Sequence, residues 1–180
     1  MAVMTTRPML TREDLDALPE DGLRHELING TFVMTPAPGM AHQDFVLALA
    51  MTLRNAIHGT DLKVVQAPYD VVLGTNVVEP DILVAPHTAF TERCLPSAPL
   101  LVVEVRSAST GWLDEGRKLS LYEQAGVAHY WLADPHGPWV RILQLVDGRY
   151  QQVGMVEGDD ELTISEPVAI AVRPSVLARG

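Results

Sequence analysis

The sequence predicts an α+β fold (α/β/α-like), in which helices flank a mixed β-sheet and extra antiparallel strands follow towards the C-terminus. Two long segments carry apolar residues at helical spacing, and several short apolar runs lie between glycine, proline and Asx-Gly turns. Hydrophobic residues make up 47% of the chain and charged residues 20%, as in ordinary globular proteins. The 180 residues suffice for one buried core, so we expect a single domain over residues 1–180.

The N-terminal elements follow from local signals. Residues 11–18, TREDLDAL, predict a short helix that Thr11 can cap, with Asp14 three residues later in a pattern close to a capping box. The run HELINGTFVM alternates around Asn29-Gly30, a dipeptide that strongly indicates a tight β-hairpin. Residues 42–57 repeat apolar side chains every three to four positions, which predicts a core helix.

The middle of the chain predicts three strands and a second helix. The strand-like runs are LKVVQAPYDVVL at 62–73, VVEPDILVA at 77–85 and LLVVEVRS at 100–107. Residues 112–125 read as a helix ended by Gly126. Ser107, Ser109 and Thr110 lack the surroundings of a nucleophile and are expected to cap that helix.

The C-terminal third predicts strands. AHYWLAD at 128–134 is one, and WVRILQLVDGRYQQV at 139–153 reads as a hairpin around Asp147-Gly148. ELTIS and VAIAV follow as two further short strands. We expect the strands from about residue 139 onward to cover the sheet or to form a dimer surface.

Composition restricts the functional classes. No apolar run approaches the roughly 20 residues that span a bilayer, and the first ten residues contain no long apolar segment, which predicts no membrane span and no secretory signal. Cys94 is the single cysteine, which excludes an internal disulfide and favours a cytoplasmic protein. The net charge of -10 disfavours nucleic-acid binding unless basic residues cluster or cations intervene.

One carboxylate interrupts the otherwise apolar run LLVVEVRS. Glu104 needs a partner there, because a buried ionised carboxylate costs several kcal/mol of free energy when unpaired. Alternation along extended strands puts Glu104 on one face with Arg106, and Asp81 on one face with Glu79. If the two runs are neighbours, Asp81 and Glu104 can share a divalent cation, and Mg²⁺ prefers one or two carboxylates with water and phosphate oxygens.

An acid after proline, a second acid in an apolar strand and a nearby base together resemble the PD-(D/E)xK nuclease superfamily. The motif is short, but the resemblance extends further along the chain. The quoted segments HELINGTFVM, PAPGMAHQ, VEPDILV, LVVEVRSAST and KLSLYEQAGVAHYWLADP are similar in order and spacing to the Uma family, described as putative restriction endonucleases, from about residue 11 to 150.

The resemblance implies a restriction-endonuclease-like core and a nuclease site. Asp81 and Glu104 would hold Mg²⁺, or Mn²⁺ as a substitute, with the backbone carbonyl of Val105 as a third ligand. Lys118 would orient the attacking water or stabilise charge, and Glu26 would be an additional acid of the site. The implied partner is nucleic acid, most simply DNA, and the implied assembly is a homodimer.

Two accessory residues complete the site that the resemblance implies. His42 matches a position at the junction of loop and helix, where it can approach the site or cap the helix. Arg106 stands where the family more often has an aliphatic residue. It can supplement Lys118, or it can pair with Glu104 and displace the metal.

Simpler interpretations remain open for each residue. Asp81 could be a turn residue, Glu26 a polar-face strand residue, and Lys118 a solvated i,i+4 partner of Asp114. At the level of the protein, the alternatives are a nuclease fold retained as an inactive binding or regulatory module, and a metal-dependent hydrolase of small phosphate esters. The acidic net charge and Arg106 beside Glu104 favour the inactive module, and the shortage of basic residues favours the hydrolase of small phosphate esters.

Overall fold

The computed structural model describes residues 9–19, 21–107 and 111–180, with the backbone alone for residues 111–115. Within these ranges no helix is both long and apolar enough to cross a membrane. The helices are α1 (Arg12–Asp16), α2 (Met40–Ala56), α3 (Gly111–Ala125) and α4 (Pro174–Leu177). The strands are β1 (Arg24–Ile28), β2 (Thr31–Thr35), β3 (Leu62–Gln66), β4 (Asp70–Leu73), β5 (Asn76–Val78), β6 (Ile82–Pro86), β7 (Cys94–Leu95), β8 (Leu101–Val105), β9 (His129–Asp134), β10 (Trp139–Val146), β11 (Arg149–Glu157), β12 (Leu162–Ile164) and β13 (Ile170–Val172).

The described strands form two larger sheets and one small hairpin. Six strands in the order β11-β10-β9-β8-β6-β3 make the main sheet, in which β8 and β9 run parallel and the other neighbours antiparallel. Five strands in the order β2-β1-β5-β4-β7 make the second sheet, and β12 pairs with β13 separately. The prediction of an α+β fold with mixed sheet pairing and extra C-terminal strands is therefore confirmed.

Strand β8 is apolar except for Glu104 because both of its faces are covered. Leu101, Val103 and Val105 pack in one core with helix α2, whereas Val102 packs in a second core with helix α3 and the five-stranded sheet. A strand buried on both faces reads as a continuous apolar run. The two predicted long helices thus lie one against each face of the main sheet.

The predicted N-terminal features are present. Thr11 accepts from the backbone N–H of Asp14, and the Asp14 side chain accepts from the backbone N–H of Thr11, which completes the capping box. Strands β1 and β2 pair across Asn29 and Gly30, whose φ angles of 51° and 68° place both in the left-handed region. A two-residue turn of this kind matches the twist of the hairpin strands.

Replacing Gly30 by alanine is expected to lower the free energy of unfolding by about 1–2 kcal/mol. Alanine is strained at φ 68°, and its Cβ would lie 2.8 Å from the Cβ of Met9. Urea melts of Gly30→Ala and Gly137→Ala provide the measurement. An added Cβ at Gly137 meets nothing within 4 Å. Equal loss of stability in both variants would contradict the explanation.

Two of the predicted single strands are each divided in two. The run 62–73 forms β3 and β4, and the run 77–85 forms β5 and β6, with the members of each pair in different sheets. Pro68 and Pro80 lie at the breaks, where a proline has no N–H to donate to a ladder. The chain therefore passes from the second sheet to the main sheet at Pro80.

The C-terminal part both extends the main sheet and covers it. Strands β10 and β11 form the predicted hairpin, with Asp147 and Gly148 at positive φ, and lengthen the sheet beyond β9. Strands β12 and β13, together with the unpredicted helix α4, contribute side chains to the core that contains α2. The predicted caps Ser109 and Thr110 lie outside the described residues.

Candidate active site

Three secondary-structure elements and one connecting segment deliver the predicted acids and the predicted lysine to one place. Strand β1 carries Glu26, the segment between β5 and β6 carries Asp81, strand β8 carries Glu104 and helix α3 carries Lys118. All four side chains belong to buried residues, although they are charged. Because charged residues are rarely buried unless paired, the contacts among them determine what the cluster can do.

The register of the main sheet brings Asp81 beside Glu104. Strands β6 and β8 are antiparallel neighbours, with Ile82 opposite Val103. One step further along the same ladder sets Asp81 opposite Glu104. The backbone N–H of Val105 donates to Asp81 Oδ2 at 2.8 Å, which fixes the carboxylate against β8. The expectation that the two acidic runs are neighbours is therefore confirmed.

The prediction that Asp81 and Glu79 lie on the same face of one strand is wrong. These residues lie in the break between β5 and β6, where the chain is no longer an extended strand. Asp81 lines the same cavity as Glu104, whereas Glu79 lines a separate surface depression beside Asp70. The alternation argument failed because Pro80 ends the ladder.

Lys118 links two carboxylates from different sheets. Its Nζ lies 3.0 Å from Glu104 Oε1, 3.2 Å from Glu104 Oε2 and 3.0 Å from Glu26 Oε1. Tyr122, one turn later on α3, donates its hydroxyl to Glu104 Oε1 at 2.6 Å. Glu26 Oε1 also accepts from the backbone N–H of Glu79 at 2.8 Å. Since Lys118 is buried, the interpretation as a solvated surface ion pair is wrong.

Asp81 is held by a second set of donors. Arg24 Nη1 donates to Asp81 Oδ1 at 3.0 Å, and His42 Nε2 lies 3.1 Å from Asp81 Oδ2. Together with the Val105 N–H, these contacts engage both oxygens of the carboxylate. The predicted accessory residue His42 thus contacts the site directly. The interpretation of Asp81 as a surface turn residue is excluded by its burial.

Among the described residues, the ion-pair partner of Arg106 is Asp134 and not Glu104, the partner that the sequence left open. Its guanidinium Nη1 lies 3.3 Å from Asp134 Oδ2 and its Cζ lies 5.9 Å from the ring centre of Trp139. The Glu104 carboxylate is occupied by Lys118 and Tyr122 instead. Arg106 still lines the cavity, so it remains within the candidate site.

The cluster surrounds a cavity of about 80 Å³. A mixture of polar, proline and apolar residues makes up part of its wall, and the charged and titratable residues that line it are Arg24, Glu26, His42, Asp81, Glu104, Arg106 and Lys118. Three carboxylates thus face three permanent cations, so the formal charges in this space balance. The volume is enough for a few water molecules or a phosphate group, since one water needs roughly 30 Å³ of liquid volume.

Burial and charge act differently on the titratable groups. Burial, and secondarily the charges of Asp81 and Glu26, raise the pKa of Glu104 to about 7 in spite of Lys118. Burial opposes the charged form of Lys118, but the surrounding carboxylates, chiefly Glu104 and Glu26, raise its pKa above the ordinary value. Lys118 therefore stays an ammonium at neutral pH and cannot serve as a base. The positive charge of Lys118 is neutralised by two carboxylates, whereas those two carboxylates share the charge of a single ammonium.

The pKa of Asp81 moves in the opposite direction. Burial alone would raise it, but the hydrogen bond from His42, the charge of Arg24 and the Val105 N–H lower it below the ordinary value. Asp81 is therefore the carboxylate of the pair that stays ionised at neutral pH, and Glu104 is the one that can carry a proton. Two neighbouring acids with pKa values pushed apart are common in catalytic sites.

The raised pKa of Glu104 predicts a stability change with pH. The folded state holds a proton up to about pH 7, whereas an ordinary glutamate releases it near 4.5. The stabilisation from protonated Glu104 is thus complete below pH 4.5 and is lost as the pH rises to 7, by about 3 kcal/mol. Urea melts of wild type and Glu104→Gln at pH 4.5, 6 and 7.5 should show this loss in wild type only. Parallel profiles would contradict it.

The residues fit a hard cation that keeps part of its water shell. No group of three or more His, Cys, Asp or Glu side chains in the described parts of the chain is arranged to enclose a metal ion. Mg²⁺ does not need such a cage, because it usually takes one or two carboxylates and retains water. Asp81 and Glu104 supply the carboxylates. The Val105 carbonyl points to the same side of β8 as its N–H, which meets Asp81.

Two contacts of the site were missed from sequence. Arg24 shares a face of β1 with Glu26 because it lies two residues earlier, but that spacing does not reveal its contact with Asp81, 57 residues away. Tyr122 follows Lys118 by four residues and so shares its helix face, a spacing from which its position could have been predicted. Its ring is buried and its hydroxyl reaches Glu104.

The fold and the buried acid–lysine cluster define a protein of the restriction-endonuclease-like class. The chain belongs to the Uma2 family, described as "Putative restriction endonuclease", whose model matches residues 12–176. A crystal structure of a putative nuclease belonging to DUF820 from Anabaena variabilis has the same fold. It is 16% identical, with a TM-score of 0.70 over 88% of this chain and 89% of that one. The search of curated proteins found no match.

Proposed function

We propose that the protein is a Mg²⁺-dependent endonuclease that hydrolyses phosphodiester bonds, with DNA as its substrate. The observation that carries the proposal is the convergence of Asp81, Glu104, Lys118 and Glu26 on one small buried cavity. Membership of a family described as "Putative restriction endonuclease" supports the same reaction class. The cavity, at about 80 Å³, is of a size that suits a single phosphate group.

Each residue has a role that follows from its contacts. Asp81 and Glu104, with the Val105 carbonyl, would hold the metal ion, which supplies Lewis acidity toward a phosphoryl oxygen and its bound water. Lys118, fixed as an ammonium, would stabilise negative charge that develops on the phosphorane. Glu26 holds Lys118 in place, and His42 with the Val105 N–H fixes the orientation of Asp81. Arg106 at the cavity wall would attract the substrate backbone.

Titration calorimetry with Mg²⁺ and Mn²⁺ at pH 7.5 tests the metal site. Wild type should bind one ion, and Glu104→Gln should lose at least about tenfold in affinity, since one carboxylate ligand is neutralised. Cleavage of supercoiled plasmid and of oligonucleotides in the same buffer tests the reaction. No binding and no cleavage by wild type would instead support an inactive binding or regulatory module.

The net charge of -10 favours a second candidate, a metal-dependent hydrolase of small phosphate esters. A duplex requires several phosphate contacts, and an acidic surface opposes them. Competition assays separate the two activities. If bis(p-nitrophenyl) phosphate is hydrolysed more efficiently than DNA and DNA does not inhibit it, the small-ester activity is the correct one.

A homodimer would suit cleavage of both strands, since each copy brings one cavity. Strand β11 forms an edge of the main sheet and exposes Val153 and Met155, which offers a surface for a second copy. Analytical ultracentrifugation should show a concentration-dependent dimer, and a monomer at the highest concentrations would disprove this assembly.

The single cysteine, Cys94, is a buried free thiol, in keeping with the proposed cytoplasmic location.

A further inference from the structure

We propose that Arg24 is a built-in counter-ion of Asp81, that a divalent cation must displace it, and that the released guanidinium then binds a substrate phosphate. The inference rests on the proposed metal-dependent reaction and adds a residue to it. Arg24 would thereby couple metal binding to phosphate binding within one cavity.

The contacts of Asp81 define the competition. Oδ2 is engaged by the Val105 N–H at 2.8 Å and by His42 at 3.1 Å, both from elements packed in the core. Oδ1 faces Arg24 Nη1 at 3.0 Å. Of the two oxygens, Oδ1 is therefore the one that can exchange its partner without disturbing the backbone, and Arg24 already holds it.

A metal ion and a guanidinium on the same oxygen repel each other. Arg24 is a permanent cation, because arginine is not deprotonated in proteins, and the surrounding carboxylates of Asp81, Glu104 and Glu26 raise its pKa further against the effect of burial. It cannot make room by losing a proton, so it must move. Lys118 is not in the same position, since it is held by Glu26 as well as by Glu104.

Arg24 is placed so that its guanidinium, once released from Asp81, can bind an incoming phosphate. Its side chain is 21% exposed, whereas that of Asp81 is 3% exposed, so Arg24 is the member of the pair that reaches solvent. The backbone carbonyl of Glu79 accepts a second hydrogen bond from Nη1 at 3.2 Å and ties the group to the cavity wall. A guanidinium at this position can bind two oxygens of an incoming phosphate through its fork.

The experiment is calorimetric titration of Mn²⁺ into wild type, Arg24→Gln and Arg173→Gln, each with and without thymidine monophosphate. Arg173 pairs with Glu161 on the surface, so its variant removes one positive charge outside the cavity. Circular dichroism and thermal melts verify folding. Arg24→Lys is the second variant, because it retains the charge without the fork and remains informative if the glutamine variant misfolds.

The expected result is a difference in affinity and in coupling. Arg24→Gln should bind Mn²⁺ about tenfold more tightly than wild type, because no charge-assisted hydrogen bond is displaced. Thymidine monophosphate should tighten Mn²⁺ binding to wild type and to Arg173→Gln, but not to Arg24→Gln. Arg24→Lys should have an affinity between wild type and the glutamine variant, with weakened coupling.

Two results would overturn the inference. One leaves the proposed metal-dependent function standing, and the other contradicts that function as well. If wild type binds Mn²⁺ and Arg24→Gln binds it equally or more weakly, the counter-ion role is wrong while the metal-dependent function stands. If none of the variants binds Mn²⁺, the proposed function and this inference both fail. If Mn²⁺ binds to the Arg24 variants but not to wild type, Arg24 competes with the cation for Asp81 strongly enough to exclude it, which supports the inference.

Discussion

Replacing Lys118 by methionine should lower the free energy of unfolding at pH 7.5 by about 3–5 kcal/mol. The substitution keeps the length of the side chain but leaves Glu26 and Glu104 without the ammonium that lies 3.0 Å from each. Both carboxylates are buried, so neither can gain full hydration in exchange. The loss should be smaller at pH 5, because Glu104, whose pKa is already raised to about 7, will be protonated there. Urea melts at the two pH values provide the measurement.

The matched control is Lys63→Met, which changes an exposed lysine on β3. Lys63 Nζ lies 5.1 Å from the ring centre of Phe90, a contact worth about 0.5–1 kcal/mol at an exposed site. Plasmid cleavage should persist in Lys63→Met and be lost in Lys118→Met. If the two lysine variants lose the same stability at pH 7.5, Lys118 does not neutralise the buried acids.

Asp81→Asn should reduce phosphodiester cleavage by about 10³-fold or more while the protein remains folded. The amide keeps an oxygen that can accept from the Val105 N–H, but it removes the negative charge that a metal ion requires. Its NH₂ group would also face the Arg24 guanidinium, and two donors cannot form a hydrogen bond with each other. Single-turnover cleavage at saturating Mn²⁺ measures the effect on the reaction, and Mn²⁺ titration measures the effect on binding.

Asp134→Asn is the appropriate comparison for Asp81→Asn. Asp134 ends strand β9 and pairs with Arg106 at 3.3 Å, close to the cavity but outside the acid–lysine cluster. Its amide variant should retain cleavage to within about tenfold, since it removes a charge without removing a proposed ligand. A similar loss in both variants would indicate that net charge near the cavity, and not metal ligation by Asp81, governs the rate.

The sequence was sufficient wherever a local rule decides the structure. The capping box at Thr11, the Asn29-Gly30 turn and the helical spacing of residues 42–57 each required only neighbouring residues, and each is present. The anomaly of Glu104 in an apolar strand also pointed to a buried partner, and that strand is indeed covered on both faces.

The sequence was insufficient wherever two sheets meet. Alternation assigned Glu79 and Asp81 to one face, but Pro80 separates two strands that belong to different sheets. The partner of Glu104 was equally open among Arg106, Lys118 and a metal ion, because a helix and a neighbouring strand can both reach it. Only tertiary packing places Lys118 on Glu104 and Arg106 on Asp134. Arg24 was missed because its acceptor, Asp81, is 57 residues away.

The bridge that Lys118 makes between Glu26 and Glu104 is an ionic contact that holds the two sheets together. Glu26 belongs to the five-stranded sheet and Glu104 to the six-stranded sheet, so any breathing motion that parts them must pull the ammonium away from one carboxylate. Amide protons of β1 and β8 should therefore exchange with solvent through one shared opening event. The cavity would then be intact only while the sheets are closed on each other.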